Sequence, residues 1–172
     1  INTNTKKIDA VRRCLDREYK CQHIAKEKLK HFVSKDAFNI DGLGKKVIDQ
    51  FWELKLIKTP SDIFNLNYTK IKNLDGWGQL SAENLKIAIK KSSNILLEKF
   101  IYSIGIRHIG EENAKLLGNF FISIKKFVEI LDKTKRKNLL KNIEELDGIG
   151  SAQLRSLEEF FSNKSNSEAI LL

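Results

Sequence analysis

Apolar residues recur along this chain in steps of three and four. Leu85, Ile89 and Ser92 follow Gly78; Ala114, Leu117 and Phe121 follow Gly110; Leu154, Leu157 and Phe161 follow Gly150. Such steps place each set on one face of a helix. Strand signals are weak, and Pro60 is the single proline in 172 residues. The pattern predicts a fold that is almost entirely α. Thr59-Pro60-Ser61-Asp62 reads as a turn into a helix with proline in its first turn. Lys133–Lys137 reads as a basic polar connector, and the Ser/Asn-rich stretch Ser162–Ser167 as the end of the folded unit. At this length one compact unit and two small ones are both open.

The glycines that precede these helical stretches belong to a repeated phrase. "IDGLGKKVI" (Ile40–Ile48) returns as "LDGWGQLSA" (Leu74–Ala82) and "LDGIGSAQL" (Leu146–Leu154), with a degenerate copy "IRHIGEENA" (Ile106–Ala114). The last of these aligns Gly110 with Gly44, Gly78 and Gly150, and puts His108 where the others have Gly42, Gly76 and Gly148. The second glycines are 34, 32 and 40 residues apart, which suits four related helix–turn–helix units better than a strict solenoid.

A glycine pair two residues apart permits positive φ and a tight reversal between helices. The apolar residue between them (Leu43, Trp77, Ile109, Ile149) can plug back between those helices. The second glycine then opens a helix whose first N–H groups lack intrahelical partners, so a phosphate can reach those amides and the positive end of the helix dipole. One such turn is satisfied by a helix cap in a bundle; four on a basic chain point to a nucleic-acid backbone. Lys45 and Lys46 flank the first turn, while Gln79 and Ser151 offer neutral hydrogen-bonding groups at the second and fourth. In the third, Glu111 and Glu112 would repel phosphate, which leaves Arg107 or His108 to grip and makes this the weakest copy. Asp41, Asp75 and Asp147 sit identically in three copies, and are expected to bond the backbone of their own turns rather than carry acid–base or metal chemistry. No nucleophile–base set, phosphate-loop lysine motif or HExxH is present, so no catalytic residue is assigned.

Charge strengthens the polyanion reading. The net charge is +9, and residues 1–30 hold nine Lys or Arg against four acids, over half of the excess. A basic soluble domain favours nucleic acid through phosphate neutralisation. Apolar runs such as Ile95–Leu97 and Phe120–Ile122 fall far short of the roughly 18 residues a membrane span needs. Two cysteines do not make a secreted disulfide scaffold, and a reducing cytoplasm is the expected setting. The chain begins at Ile1 and contains no methionine, which predicts a piece of a longer protein.

These phrases resemble the helix-hairpin-helix motif, and their order resembles the bacterial NAD-dependent DNA ligases. "LKHFVSKDAFNIDGLGKKVIDQ" (Leu29–Gln50), "KTPSDIFNL" (Lys58–Leu66), "LDGWGQLSAENLKIAI" (Leu74–Ile89), "FIYSIGIRHIGEENAKLL" (Phe100–Leu117) and "LDGIGSAQLRSLEEFF" (Leu146–Phe161) follow the family's order. "SIGIRHIGEENA" is the most specific piece. The resemblance implies four tandem helix-hairpin-helix motifs packed as two pairs, first with second and third with fourth. It implies a domain over residues 31–162 with hairpins near 40–48, 74–82, 106–114 and 146–154, and a tail over 163–172 leading toward a further domain. Residues 1–30 would hold the second half of a four-cysteine zinc module, with Cys14 and Cys21 as ligands whose partners are absent, so that zinc is weakly held or not held. The implied parent joins nicks in duplex DNA during replication and repair, using NAD and magnesium. This piece would supply grip on the duplex around the nick, acting as a monomer and sealing nothing by itself. Three rival readings remain: a tandem helix-hairpin-helix module of a repair or recombination accessory protein, a DNA glycosylase that flips a base, and a helical protein–protein scaffold whose binding ignores DNA.

Overall fold

Four glycines start the four principal hairpin helices. The computed structural model describes residues 21–170, and Gly44, Gly78, Gly110 and Gly150 are the N-caps of α2 (Lys45–Glu53), α5 (Gln79–Ser92), α7 (Glu111–Phe121) and α10 (Ser151–Ser162). Each is preceded by another helix: α1 (Gln22–Phe32), α4 (Tyr68–Ile71), α6 (Leu97–Ser103) and α9 (Lys133–Glu144). Short helices α3 (Pro60–Phe64) and α8 (Ile124–Phe127), a 3-10 turn (Val128–Leu131) and α11 (Lys164–Ile170) complete the order. Among the described residues there is no strand. None of these helices is long and apolar enough to cross a membrane.

The local chemistry sets the boundaries. α3 starts at Pro60, where a missing N–H costs nothing, and Asp62 Oδ2 accepts from the N–H of Thr59 at 2.8 Å. Asp132 caps α9: its Oδ1 accepts from the N–H groups of Thr134 and Lys135, both at 2.9 Å. The Lys135 bond, seconded by that of Thr134, holds the Asp132 carboxyl below its usual range. Residues 133–137 are therefore the first turns of a helix and not a connector. Composition concealed this, because the signal is the single aspartate that precedes the lysines.

One apolar core runs through the whole described chain, from Leu29 to Phe161. Its spine is aromatic. Phe38 touches Phe32, Phe64 and Phe100, and Phe100 meets Phe127 edge-on at 6.0 Å; Phe127 in turn meets Phe121 at 5.1 Å and Phe161 at 5.7 Å. Edge-to-face pairs of this kind add specificity to burial. Phe38 and Phe127 thus join the first two hairpins to the last two.

Polar ties differ along the molecule. α1 is bound to α2 by Lys26–Glu53 (2.9 Å), Lys26–Asp49 (3.5 Å) and Lys30–Asp49 (3.1 Å), and the hydrogen bond from Lys30 leads in holding the Asp49 carboxyl below its usual range. α9 is tied to α10 by buried Arg136, whose Nη1 donates to the carbonyls of Phe161 (2.8 Å) and Ile130 (3.3 Å). Its Nε stands 3.4 Å from Glu158 Oε1, an ion-pair distance without hydrogen-bond geometry. The Ser/Asn-rich stretch is no end of the fold either. It closes α10 at Ser162 and opens α11 at Lys164, and α11 packs on α3 and α10. Buried Asn166 donates to the carbonyl of Phe160 and accepts from Lys28, so a polar composition here reflects inward hydrogen bonds.

Candidate nucleic-acid interface

Each repeated phrase folds into the same four-residue turn. The N–H of Leu43, Trp77, Ile109 and Ile149 donates to the carbonyl of Ile40, Leu74, Ile106 and Leu146, at 3.0 to 3.2 Å. The third residue of each turn has positive φ: Gly42 at 86°, Gly76 at 77°, His108 at 61° and Gly148 at 94°. An i to i+3 bond with positive φ at i+2 alone is a type II turn, which explains the first glycine of each pair. His108 adopts the same left-handed conformation without being glycine. The fourth residue of the turn is buried in three copies, and Trp77 is half-buried against Phe51.

The second glycines have a different status. Gly44, Gly78, Gly110 and Gly150 are all extended, with φ of −66°, −152°, −84° and −104°, so none needs to be glycine for its backbone. A Cβ at Gly44, Gly78 or Gly110 would meet nothing within 4 Å, and at Gly150 only the Gln153 side chain at 3.3 Å. Neither strain nor packing accounts for these four glycines. What they leave is open space over a helix N-terminus. The first intrahelical bonds return from Ile48, Ala82, Ala114 and Leu154, so three amides before each have no intrahelical partner. Each site can accept an anion on backbone N–H groups aided by the helix dipole.

The surroundings grade the four sites. Lys45 and Lys46 are exposed beside the first. Gln79 is exposed at the second, where Ser81 Oγ already accepts from the Gly78 N–H at 2.9 Å. Ser151 is exposed at the fourth, with the Gly150 N–H taken by Gln153 Oε1 at 3.2 Å. At the third, Arg107 and His108 are exposed, and Glu111 and Glu112 share a shallow hollow with Lys99 and Lys115. Glu98 lines the same hollow, so its three carboxylates outnumber the two lysines and the third site stays the least suited to phosphate. Asp41, Asp75 and Asp147 are exposed at the second turn position, and their carboxylates make no hydrogen bond to the turn, contrary to the expectation from their placement. The N–H two residues on, which an Asx turn would use, is already spent on the turn's own backbone bond.

Three residues join these sites that the repeat did not reveal. Gln50, on α2, donates to the carbonyl of Asp75 at 3.1 Å and accepts from Trp77 Nε1 at 3.0 Å, so that the first two turns flank one groove. Asn113 donates to the carbonyl of His108 at 3.2 Å and braces the third turn. Arg155 is exposed one helical turn into α10, its Nε 3.5 Å from the Ser151 carbonyl, which brings a cation to the fourth site. Position six, three or five residues past the second glycine is the only sequence signal for Gln50, Asn113 and Arg155, and it needs the helix phase to be read. Cys21 is buried at the N-cap of α1, and is not a free thiol; Cys14 lies outside the described residues. Among the described residues no three His, Cys, Asp or Glu side chains converge as a metal site.

Comparison with known proteins gives this geometry a context. A helix-hairpin-helix motif model matches residues 99–170, which contain the third and fourth turns. A DNA ligase of Pelagibacter ubique is 52% identical over 165 residues, covering 96% of this chain and 24% of that protein. DNA ligases of Rickettsia bellii and Rickettsia canadensis are each 42% identical, over 94% of this chain and 24% of theirs. The chain thus spans about a quarter of the length of the curated relatives it matches. By sequence, it matches a helix-hairpin-helix fragment of a DNA ligase.

Proposed function

We propose that this chain is the duplex-gripping part of an NAD-dependent DNA ligase, holding the DNA backbone without reading its sequence. The observation that carries this reading is the set of four extended glycines in open space, each at a helix N-terminus, which the fold itself does not require. Phosphate oxygens would approach, across the open space at Gly44, Gly78, Gly110 and Gly150, the first helical amides that follow each of them, with Gly42, Gly76 and Gly148 shaping the turns. Lys45, Lys46, Gln79, Arg107, His108 and Ser151 would add side-chain contacts. Backbone contacts of this kind position a protein on the duplex and carry no sequence information.

The four turns are then four helix-hairpin-helix units in two pairs, within a domain over 31–162. The parent would join nicks during replication and repair in the cytoplasm, with NAD and magnesium serving its other domains, and this piece would act as a monomer that seals nothing alone. Zinc needs four ligands in a structural site. Two cysteines are at most half of that set, so this chain alone does not fit the metal, and Cys14 and Cys21 would need partners from the parent.

The test is a salt titration of affinity for nicked and intact duplexes of one sequence. A steep log–log slope with little sequence dependence is expected, with tighter binding at a nick. Lys45→Ala with Lys46→Ala should flatten the slope by about 0.9 per lost phosphate contact. Gly44→Thr sharpens the test, because threonine is a good N-cap at extended φ and should keep or raise stability while blocking close approach. Undiminished DNA binding by a folded Gly44→Thr chain would show that the open space over this helix N-terminus is not where phosphate docks, and would sink the reading.

A further inference from the structure

Residues 124–141 carry Lys125, Lys126, Lys133, Lys135, Arg136, Lys137 and Lys141 against Glu129 and Asp132. None of these cations lies in a repeated turn. Arg136 is internal, and Lys135 stands 3.7 Å from Glu129. Lys125 and Lys126 belong to α8, with Lys126 over the Phe120 ring at 5.6 Å, so Lys133, Lys137 and Lys141 remain on α9. They are four residues apart on α9, all exposed, and in no ion pair among the described residues.

Helix physics does not favour this arrangement. Like charges at i and i+4 repel, and a lysine at the first helical position opposes the macrodipole. The first turn of α9 holds no acid, and its capping depends on Asp132 alone. Its inward face is already supplied by Arg136, Leu139 and Ile143. Lys141 alone suits its place, in the last turn where the macrodipole favours a cation; Lys133 at the first position and the i, i+4 repulsions along the stripe do nothing for α9, and the aligned lysines point outward to a polyanion.

The placement identifies which one. Four residues of helix rise about 6 Å, so Lys133 to Lys141 makes a straight track of about 12 Å. The track ends five residues before Leu146, the first residue of the fourth turn, and so leads directly away from that site. A duplex presents a phosphate for every ~1.7 Å of its axis, so a 12 Å track faces several of them. We infer that Lys133, Lys137 and Lys141 form a second phosphate-binding surface that continues the grip of the fourth turn along duplex DNA and lengthens the bound site. This rests on the reading that the turns hold duplex DNA.

The experiment compares the whole chain with Lys133→Gln/Lys137→Gln/Lys141→Gln on a nested series of duplexes, from the shortest that binds to several helical turns. The triple variant removes like-charge repulsion, so its helicity and urea midpoint should be no lower than those of the parent. On long duplexes its log–log salt slope should fall by up to about 2.7, three contacts at about 0.9 each. On the shortest duplex the two proteins should bind alike. An equal loss at every length would overturn the proposal, because the lysines would then act as a diffuse field and not as a track. Unchanged binding at every length would also overturn it and leave the stripe to an acidic protein partner or to solvent. Gly44→Thr on the same series separates the two readings. If that variant loses affinity and the triple variant does not, only the track fails; if the parent chain itself binds no duplex, the reading beneath it fails.

Discussion

Six residues after its starting glycine, α2 carries Gln50 and α7 carries Leu116, and each reaches the turn of the neighbouring copy. Gln50 does so with two hydrogen bonds, to the carbonyl of Asp75 and from the indole of Trp77. Leu116 does so by contact: its Cδ1 lies 3.0 Å from where a Cβ on Gly148 would stand. The second turn, bound by hydrogen bonds, leaves open space around Gly76; the fourth, bound by packing, leaves none around Gly148. The two pairs share turn type, helix phase and open amides, and differ in how one copy is fastened to the other. The backbone geometry is therefore what the four copies preserve, and the fastening is free to vary with local packing.

The largest effect should come from forcing a side chain into both fastened turns. Gly76→Val adds only a left-handed β-branched residue, at a cost of about 1–2 kcal/mol. Gly148→Val adds the same strain plus a clash with Leu116, which overpacking puts at about 1 kcal/mol or more. Urea unfolding of the two variants should rank Gly148→Val as the less stable by roughly that difference. Equal midpoints would mean that Leu116 swings aside and that the contrast between the pairs is only apparent.

Exchanging the fastenings comes next. Gln50→Leu copies the second pair into the first, and leaves Trp77 Nε1 and the Asp75 carbonyl without their protein partners. Both lie near the surface and can turn to water, so the loss should be near the low end of about 1–3 kcal/mol. A shift in tryptophan emission should accompany it, since Trp77 would lose the acceptor that fixes its ring. Unaltered emission and stability would show that the aromatic contact with Phe51 alone holds the second turn.

This comparison also marks how far the sequence could be read. Period and phrase were enough to place α2, α5, α7 and α10, because each carries an apolar face and a glycine before it. The basic run at 133–137 and the Ser/Asn-rich run at 162–167 misled for one physical reason: their polar residues bond inward or cap, as Asp132, Arg136 and Asn166 do. Composition reports polarity and not its direction. The Phe38–Phe100–Phe127 spine was also hidden, since its rings come from three distant segments that only the packed chain brings together. At the sites, the two glycines of each pair look equivalent as letters. Only φ and the space around them separate the one that makes the turn from the one that leaves the opening.

His108 gives the smallest effect and the finest distinction. It holds φ 61° where three copies use glycine, and a non-glycine residue there costs about 1 kcal/mol, partly offset by the lower chain entropy of histidine when unfolded. His108→Gly should thus stabilise the chain slightly, by under about 1 kcal/mol, whereas His108→Ala keeps the strain and should not. Neither retains the imidazole. If His108 grips phosphate with Arg107, both variants should bind DNA more weakly, by similar factors, although only His108→Gly gains stability. If the third site works through its amides alone, His108→Gly should bind as well as the parent, since it makes the third turn match the other three. Weaker binding by the more stable variant would show that the strain at position 108 is kept for contact with DNA, and it would set the third turn apart from the three that carry glycine there.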